Sequence, residues 1–208
     1  MVAGRFITLE GGEGVGKSTQ ARALAEALVD RGHDVLLTRE PGGSDGAEAI
    51  RALLLGGAVD RWSPASEALL FAAARADHVE RTIRPALGEG RLVLCDRFVD
   101  STMAYQGAAG GIDAAALRRL HEIGSGGLMP DRTLVLLLSP EEGAARAAVR
   151  DRNVGDRFAR RDPAFHARVA DAFAGLAASE PERVRAVDAS GSIETVTARL
   201  LAAIEGLR

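Results

Sequence analysis

Short apolar runs alternate with longer amphipathic stretches along this chain of 208 residues. RFITLE at 5–10, DVLLTRE at 34–40, RLVLCD at 91–96, RTLVLLL at 132–138 and RVRAV at 183–187 predict five strands. Several are apolar without alternation, as strands covered on both faces are. Helical periodicity occupies 17–31, 65–87, 113–123, 140–152, 162–178 and 192–207. Ser63-Pro64 supplies a cap and first-turn pair for the second of these, and Asp113 an N-cap for the third. Strand–helix alternation of this kind predicts a parallel sheet with helices on both faces. No repeat or low-complexity linker divides the chain. Only the arginine-dense RDRNVGDRFARRD at 150–162 interrupts the pattern. The expectation is one α/β domain over 1–208 with a short lid at about 150–161.

Composition narrows the class. At 47% hydrophobic residues the chain carries enough apolar material for a sizeable core. Its net charge of −3 comes from interleaved acids and bases, which argues against nucleic acid or a membrane surface as partner. One cysteine, Cys95, excludes an intrachain disulfide. The start, MVAGRFITLE, lacks the apolar core of a signal peptide. The longest aliphatic run, 134–138, is too short to span a bilayer. The four histidines show no metal-ligand spacing. A cytoplasmic location is the expectation.

Chemistry enters at residues 11–19, GGEGVGKST. Gly11, Gly12, Glu13, Gly14, Val15, Gly16, Lys17 and Ser18 fit G-x-x-x-x-G-K-[ST], the P-loop pattern, between a predicted strand and a predicted helix. The glycines let backbone N–H groups turn inward around an anionic phosphate, and the helix adds its positive end. Lys17 is the single lysine among 26 basic side chains. A compact ammonium reaches the β- and γ-phosphates inside a tight loop, where a planar guanidinium fits badly. Ser18 is the candidate Mg²⁺ ligand, and Thr19 closes the loop. With no second lysine, an N-K-x-D guanine-recognition motif is impossible; a transferase or another ATPase remains.

Ligands of open α/β sheets bind beyond the C-terminal ends of strands. After the second strand stand Arg39, Glu40 and Pro41, then two glycines; after the third stand Asp96 and Arg97, then Ser101, Thr102, Tyr105 and Gln106. An aspartate ending a buried strand is a Mg²⁺ partner for a P-loop, and an arginine beside it can clamp a phosphate. Singly, Phe71 reads as a core aromatic and Arg75 as a solvated charge, while Asp96-Arg97 has an ordinary strand-end ion pair as its alternative. Jointly they carry more. LEGGEGVGKSTQ, TREPGG, LLFAAARADH, DRFVDSTMAYQG, GLMPDRTLVLL and the arginine-rich segment, in that order, resemble the thymidylate kinase family over nearly the whole chain.

The resemblance implies a P-loop NTPase-like three-layer fold around a five-stranded parallel sheet. It implies transfer of a phosphoryl group from ATP to dTMP with Mg²⁺, in dTTP biosynthesis, by a homodimer. On its terms Phe71 would stack on thymine and Arg75, one turn later, would bond its O4 edge. Gln106 and Thr102 would complete the base contacts, and Tyr105 would lie against the deoxyribose where a 2′-hydroxyl would clash. Arg97, with Arg39 nearby, would hold the monophosphate. Glu10 and Glu40 would lie near the sugar and the water shell of the metal, with Pro41 beside them, and 187–192 would border the adenine. The P-loop contains no arginine, so the resemblance is to the bacterial arrangement in which the lid supplies one. Arg157 is the first candidate and Arg152 the second, among Arg150, Arg152, Arg157, Arg160 and Arg161. Two alternatives stand beside this reading: a kinase for another monophosphate or small metabolite, and an ATP-driven switch or assembly protein.

Overall fold

The computed structural model describes residues 4–139, 141–143, 145, 146 and 157–207. The five expected strands form as β1 (Arg5–Glu10), β2 (Val35–Arg39), β3 (Leu92–Asp96), β4 (Arg132–Leu137) and β5 (Val184–Asp188). They make one sheet in the order β2-β3-β1-β4-β5, with every neighbouring pair parallel. β1 therefore sits in the middle, and the loop leaving it opens at the centre of the sheet's C-terminal edge. Leu9 of β1 lies opposite Asp96 of β3, which brings that aspartate level with the start of the glycine-rich loop.

Around the sheet run α1 (Lys17–Val29), α2 (Asp45–Leu55), α3 (Pro64–His78), α4 (Arg84–Gly88), α5 (Val99–Thr102), α6 (Ala114–Ser125), α7 (Pro163–Ser179) and α8 (Ile193–Ile204). The caps read from sequence are made: Ser63 accepts from the Ser66 N–H, and Asp113 from those of Ala115 and Ala116. The single helix expected over 65–87 is α3 and α4 joined by a π turn at Val79–Ile83. Pro85 explains the turn. It has no N–H to give and its ring crowds the preceding turn, so the helix widens and the Arg84 N–H reaches the Val79 carbonyl. The 140–152 helix falls largely outside the described residues.

Two elements went unanticipated. α2 begins at the Ser44 cap, which accepts from the Ala47 N–H at 3.4 Å, but Gly46 and three alanines dilute its apolar stripe. α5 runs into a second π turn at Met103–Ala108, a helical course that the polar STMAYQG does not advertise.

Alternate residues of the inner strands β1, β3 and β4 bury opposite faces. Ile7, Leu9, Leu94, Leu134 and Leu136 pack against Leu24 and Leu28 of α1 and Leu200 of α8. On the other face the core is split. Phe6, Val93 and Cys95 meet Val79, Ile83 and Phe98, while Val135 and Val184 meet Phe165, Val169 and Phe173 of α7. Between these halves runs a polar track. Thr8 and Thr133 share a hydrogen bond of 2.9 Å, and Asp100 accepts from Thr133 and from both terminal nitrogens of Arg183. The track satisfies buried polar groups and pins α5 to the sheet, fixing where Ser101 and Thr102 project. Among the described residues no helix is long and apolar enough to cross a membrane.

Candidate active site

The glycine-rich loop takes its shape from positions no side chain fits. Gly16 caps α1 with φ 88°, and a Cβ on Gly11 (φ 138°) would stand 2.6 Å from the Leu136 carbonyl oxygen. Lys17 folds back over the loop and donates to the Gly12 carbonyl. Val15 turns away into the core of the sheet face covered by α1. Burial, then the nearby Arg97, pulls the Lys17 pKa down to about 8, against the opposing effect of Glu13, Asp96 and Glu10.

That value gives a pH prediction. Lys17 is cationic below pH 8 and loses its charge as the pH rises through it, so affinity for a phosphate group placed against this ammonium should fall on the alkaline side. ATP binding measured from pH 6.5 to 9.5 should be flat at the acid end. Above pH 8 it should weaken by up to about tenfold per unit. Glu10 titrates in the same window, so Lys17→Ala is the control: its profile should be flat, and a retained slope assigns the effect elsewhere.

Ser18 donates to Asp96 Oδ2 at 2.5 Å, and Asp96 Oδ1 is buried without a hydrogen-bond partner among the described residues. A hydroxyl and an unsatisfied carboxylate oxygen side by side are hard donors suited to Mg²⁺. Among the described residues no cluster of three or more His, Cys, Asp or Glu side chains could enclose a metal.

Arg97, next in the chain, has φ 70°, a left-handed backbone that a non-glycine residue adopts at a cost of about 1–2 kcal/mol. Its own backbone holds it there: the N–H donates to Leu9 O at 2.9 Å and the carbonyl accepts from Cys95 Sγ. The turn aims the guanidinium at the loop, where it meets Glu13 at 2.9 Å and donates to the Tyr105 hydroxyl and Ser101. Burial opposes the Arg97 charge, but Tyr105, Glu13, Asp96 and Glu10 outweigh it and raise its pKa. The Tyr105 phenol is pushed up, chiefly by burial.

These residues line one cleft of about 660 Å³ that continues from the loop to the opposite wall. There Arg75, nearly fully buried, is held by four groups. Nε donates to Glu40 Oε2 at 2.8 Å, Nη2 donates to Phe98 O and Thr102 Oγ1, and the guanidinium lies over the Phe98 ring. Nη1 has no hydrogen bond among the described residues. Glu40 Oε1 meets His78 Nδ1 at 3.1 Å, and His78 Nε2 meets Thr38 at 2.8 Å. The Glu40-Pro41 bond is cis. Phe71 packs near Phe158, ring centroids 5.7 Å apart, and the Tyr105 ring lies 6.2 Å from that of Phe158. Gln106 donates from Nε2 to the buried Glu67 carboxylate at 2.9 Å.

The cleft thus gathers Glu13, Lys17, Ser18, Thr19, Arg39, Glu40, Pro41, Phe71, Arg75, Asp96, Arg97, Thr102, Tyr105 and Gln106. Arg39 stands at its rim, half-exposed and bonded to Glu48. Other expectations need correcting. Glu10 does not face the cleft: it is fully buried and accepts from the Phe98 and Ser101 N–H groups and the Ser101 hydroxyl, fixing the turn that carries Arg97. Burial, with Asp100 close by, pushes its carboxyl up to about 8. Arg157 is also fully buried and outside the cleft, donating to the carbonyls of Leu54 and Val59 and to Glu67. The buried carboxylate of Glu67 draws it in. Arg160 donates to Gly57 O and Arg161 to Glu67. Arg150 and Arg152 lie outside the described residues.

Sequence reading passed over Arg51 and Arg146, which line the cleft, and His78 behind it. Arg51 had no face to point from while α2 went unread. His78 sits three residues after Arg75 on the same helix, a spacing that could have flagged it. Arg146 donates to Ala189 O, within the 187–192 stretch.

The thymidylate kinase family model matches residues 9–200. A thymidylate kinase of Rhizorhabdus wittichii is 63% identical over 204 residues, 98% of both chains. One of Caulobacter vibrioides is 52% identical over 96% of this chain and 95% of its own. The crystal structure of thymidylate kinase from Ehrlichia chaffeensis superposes with a TM-score of 0.78 at 30% identity, covering 98% of this chain and 100% of that one.

Proposed function

Because the chain belongs to the thymidylate kinase family, a kinase that phosphorylates dTMP on a P-loop NTPase fold, we propose that it takes the γ-phosphoryl group from ATP, yields dTDP and ADP, and serves dTTP synthesis. One observation carries the proposal. A single cleft joins the P-loop lysine, Ser18 and Asp96 at one end to Phe71, Arg75 and Gln106 at the other, with Arg97 between them.

The division of labour follows from the atoms. Loop amides and Lys17 bind the triphosphate, and Ser18 with Asp96 would hold Mg²⁺, which when bound neutralises phosphate charge. Arg97 receives the acceptor's phosphate, which exchanges for the Glu13 carboxylate now occupying the guanidinium. Phe71 offers a face for the base, and Arg75 Nη1 a donor for its O4. The acceptor oxygen is already anionic near neutral pH, so no general base is required; alignment and charge neutralisation carry the step. The P-loop lacks an arginine, and 157–161 turns its arginines to Glu67 and Gly57. The lid cation therefore falls to Arg150 or Arg152, or to a rearrangement that releases Arg157.

ADP release with Mg·ATP and a panel of dTMP, dUMP, UMP, CMP, GMP and AMP tests the reading; dTMP should be preferred. Thymine ribomonophosphate should be a poor acceptor, because the Tyr105 ring is locked among Phe158, Phe165 and Phe173 and cannot yield to a 2′-hydroxyl. Equal rates with the ribo and deoxy acceptors would remove Tyr105 from that role. A homodimer has support in Leu69 and Ile123, exposed on the packed helices α3 and α6; a single-chain mass in sedimentation would count against it.

A further inference from the structure

Glu67 sits on α3, one turn before Phe71, and its carboxylate is nearly fully buried. Oε1 accepts from Gln106 Nε2 at 2.9 Å, while Oε2 accepts from Arg157 and from Arg161 at 2.9 Å. A carboxylate gripped by two guanidinium groups can only accept. It therefore dictates which end of the Gln106 amide turns towards it: the NH₂ faces Glu67, and the carbonyl oxygen Oε1 is left with no hydrogen bond among the described residues. Gln106 lines the cleft that also holds Arg75 and Thr102, and lines on its other side a smaller pocket shared with Glu67 and Arg161.

We propose that Glu67 is a positioning residue for acceptor choice: it fixes the Gln106 amide with its oxygen towards the base, so that the site selects a ring N–H at that edge. This rests on the proposed contact between Gln106 and the base. The ring nitrogen N3 of thymine or uracil carries a hydrogen and donates, whereas that of cytosine carries a lone pair and would face Oε1 with repulsion. With Arg75 donating to O4, the wall reads donor–acceptor order along the imide edge, and Glu67 sets half of that order without touching the substrate. Because Glu67 also binds Arg157 and Arg161, the fixing of Gln106 is tied to the chain just after the proposed lid.

The residue's chemistry separates polarity from packing. In Glu67→Gln the two arginines claim the new amide oxygen, so its NH₂ faces Gln106. The Gln106 amide then turns over and presents a donor to the base N–H. In Glu67→Asp the group still only accepts, so the polarity survives a shorter reach. The experiment compares kcat/KM for dTMP and for 3-deaza-dTMP, in which N3–H is replaced by C–H. Both are measured on the same preparation, so the ratio is independent of the folded fraction. Wild type should favour dTMP by about 5- to 150-fold, the range for an interaction that leaves a buried polar group unpaired when lost. Glu67→Gln should bring the ratio near unity, mainly through the KM for dTMP, and Glu67→Asp should keep most of it.

A ratio unchanged in Glu67→Gln overturns the inference, and so does an equal loss in both variants, which would mark Glu67 as filler. A wild-type ratio near unity instead removes the Gln106 contact with the base. Should Glu67→Gln give no soluble protein, the wild type decides alone. The Gln106 side-chain NH₂ should be protected from hydrogen exchange in the free protein and stay protected when dTMP binds. Loss of that protection on binding overturns the inference.

Discussion

Lys17→Ala should lower kcat/KM for dTMP by roughly 2–4 kcal/mol of barrier stabilisation, or about 30- to 1,000-fold. The magnitude follows from where the ammonium stands. Lys17 is buried, and on the proposed reading the loop backbone would enclose the phosphates, so its charge would act through little water as charge shifts between donor and acceptor. The fold should survive, because the Lys17 side chain makes one hydrogen bond among the described residues, to Gly12 O, and burial already disfavours its charged form. Thermal unfolding should therefore stay close to wild type while single-turnover transfer slows. Lys17→Arg should rescue poorly: it restores the charge, but the guanidinium has neither the compact head nor the space. Wild-type turnover in Lys17→Ala would refute the assignment of the loop.

Arg75→Ala should be the most destabilising single change in the site. Its removal leaves Glu40 and His78 facing each other and takes the donor from Thr102 and from Phe98 O, all deeply buried. Breaking one side of such a pair costs on the order of 3–5 kcal/mol. For a chain of this size that is a fall of about 6–20 °C in Tm. Most of the loss comes from the stranded Glu40 carboxylate, so Arg75→Met with Glu40→Gln should recover part of the Tm without recovering activity. Calorimetry on the variants, with KM for dTMP alongside, checks both halves. A Tm within about 2 °C of wild type for Arg75→Ala would show that the pair holds little of the fold.

Much of the site was legible because its chemistry is local. GGEGVGKST must turn sharply and then start a helix, and the turn fixes where its amides point. Asp96 and Arg97 were legible because they end a strand buried on both faces. Glu10 and Arg157 show the opposite case. As letters, each is a charge beside a motif, free to face substrate. Only the fold shows that the Glu10 oxygens are taken by the Phe98–Ser101 turn, and that Glu67, some ninety residues away, draws Arg157 inward. α2 was invisible for a related reason. Its apolar stripe is weak, and the helix is held mostly by packing on α3.

The sequence alone determined the alternation of strands and helices, the phosphate loop, the family resemblance and the residues that could meet a nucleotide. These are encoded in neighbouring positions, through hydrophobic period, glycine geometry and the reach of a side chain. Tertiary structure alone decided which charged groups stay available to a ligand. A buried carboxylate or guanidinium must find its partners wherever the chain brings them. Glu40 with Arg75, Glu13 with Arg97, and Glu67 with Gln106, Arg157 and Arg161 are partnerships spanning from 35 to more than ninety residues of chain.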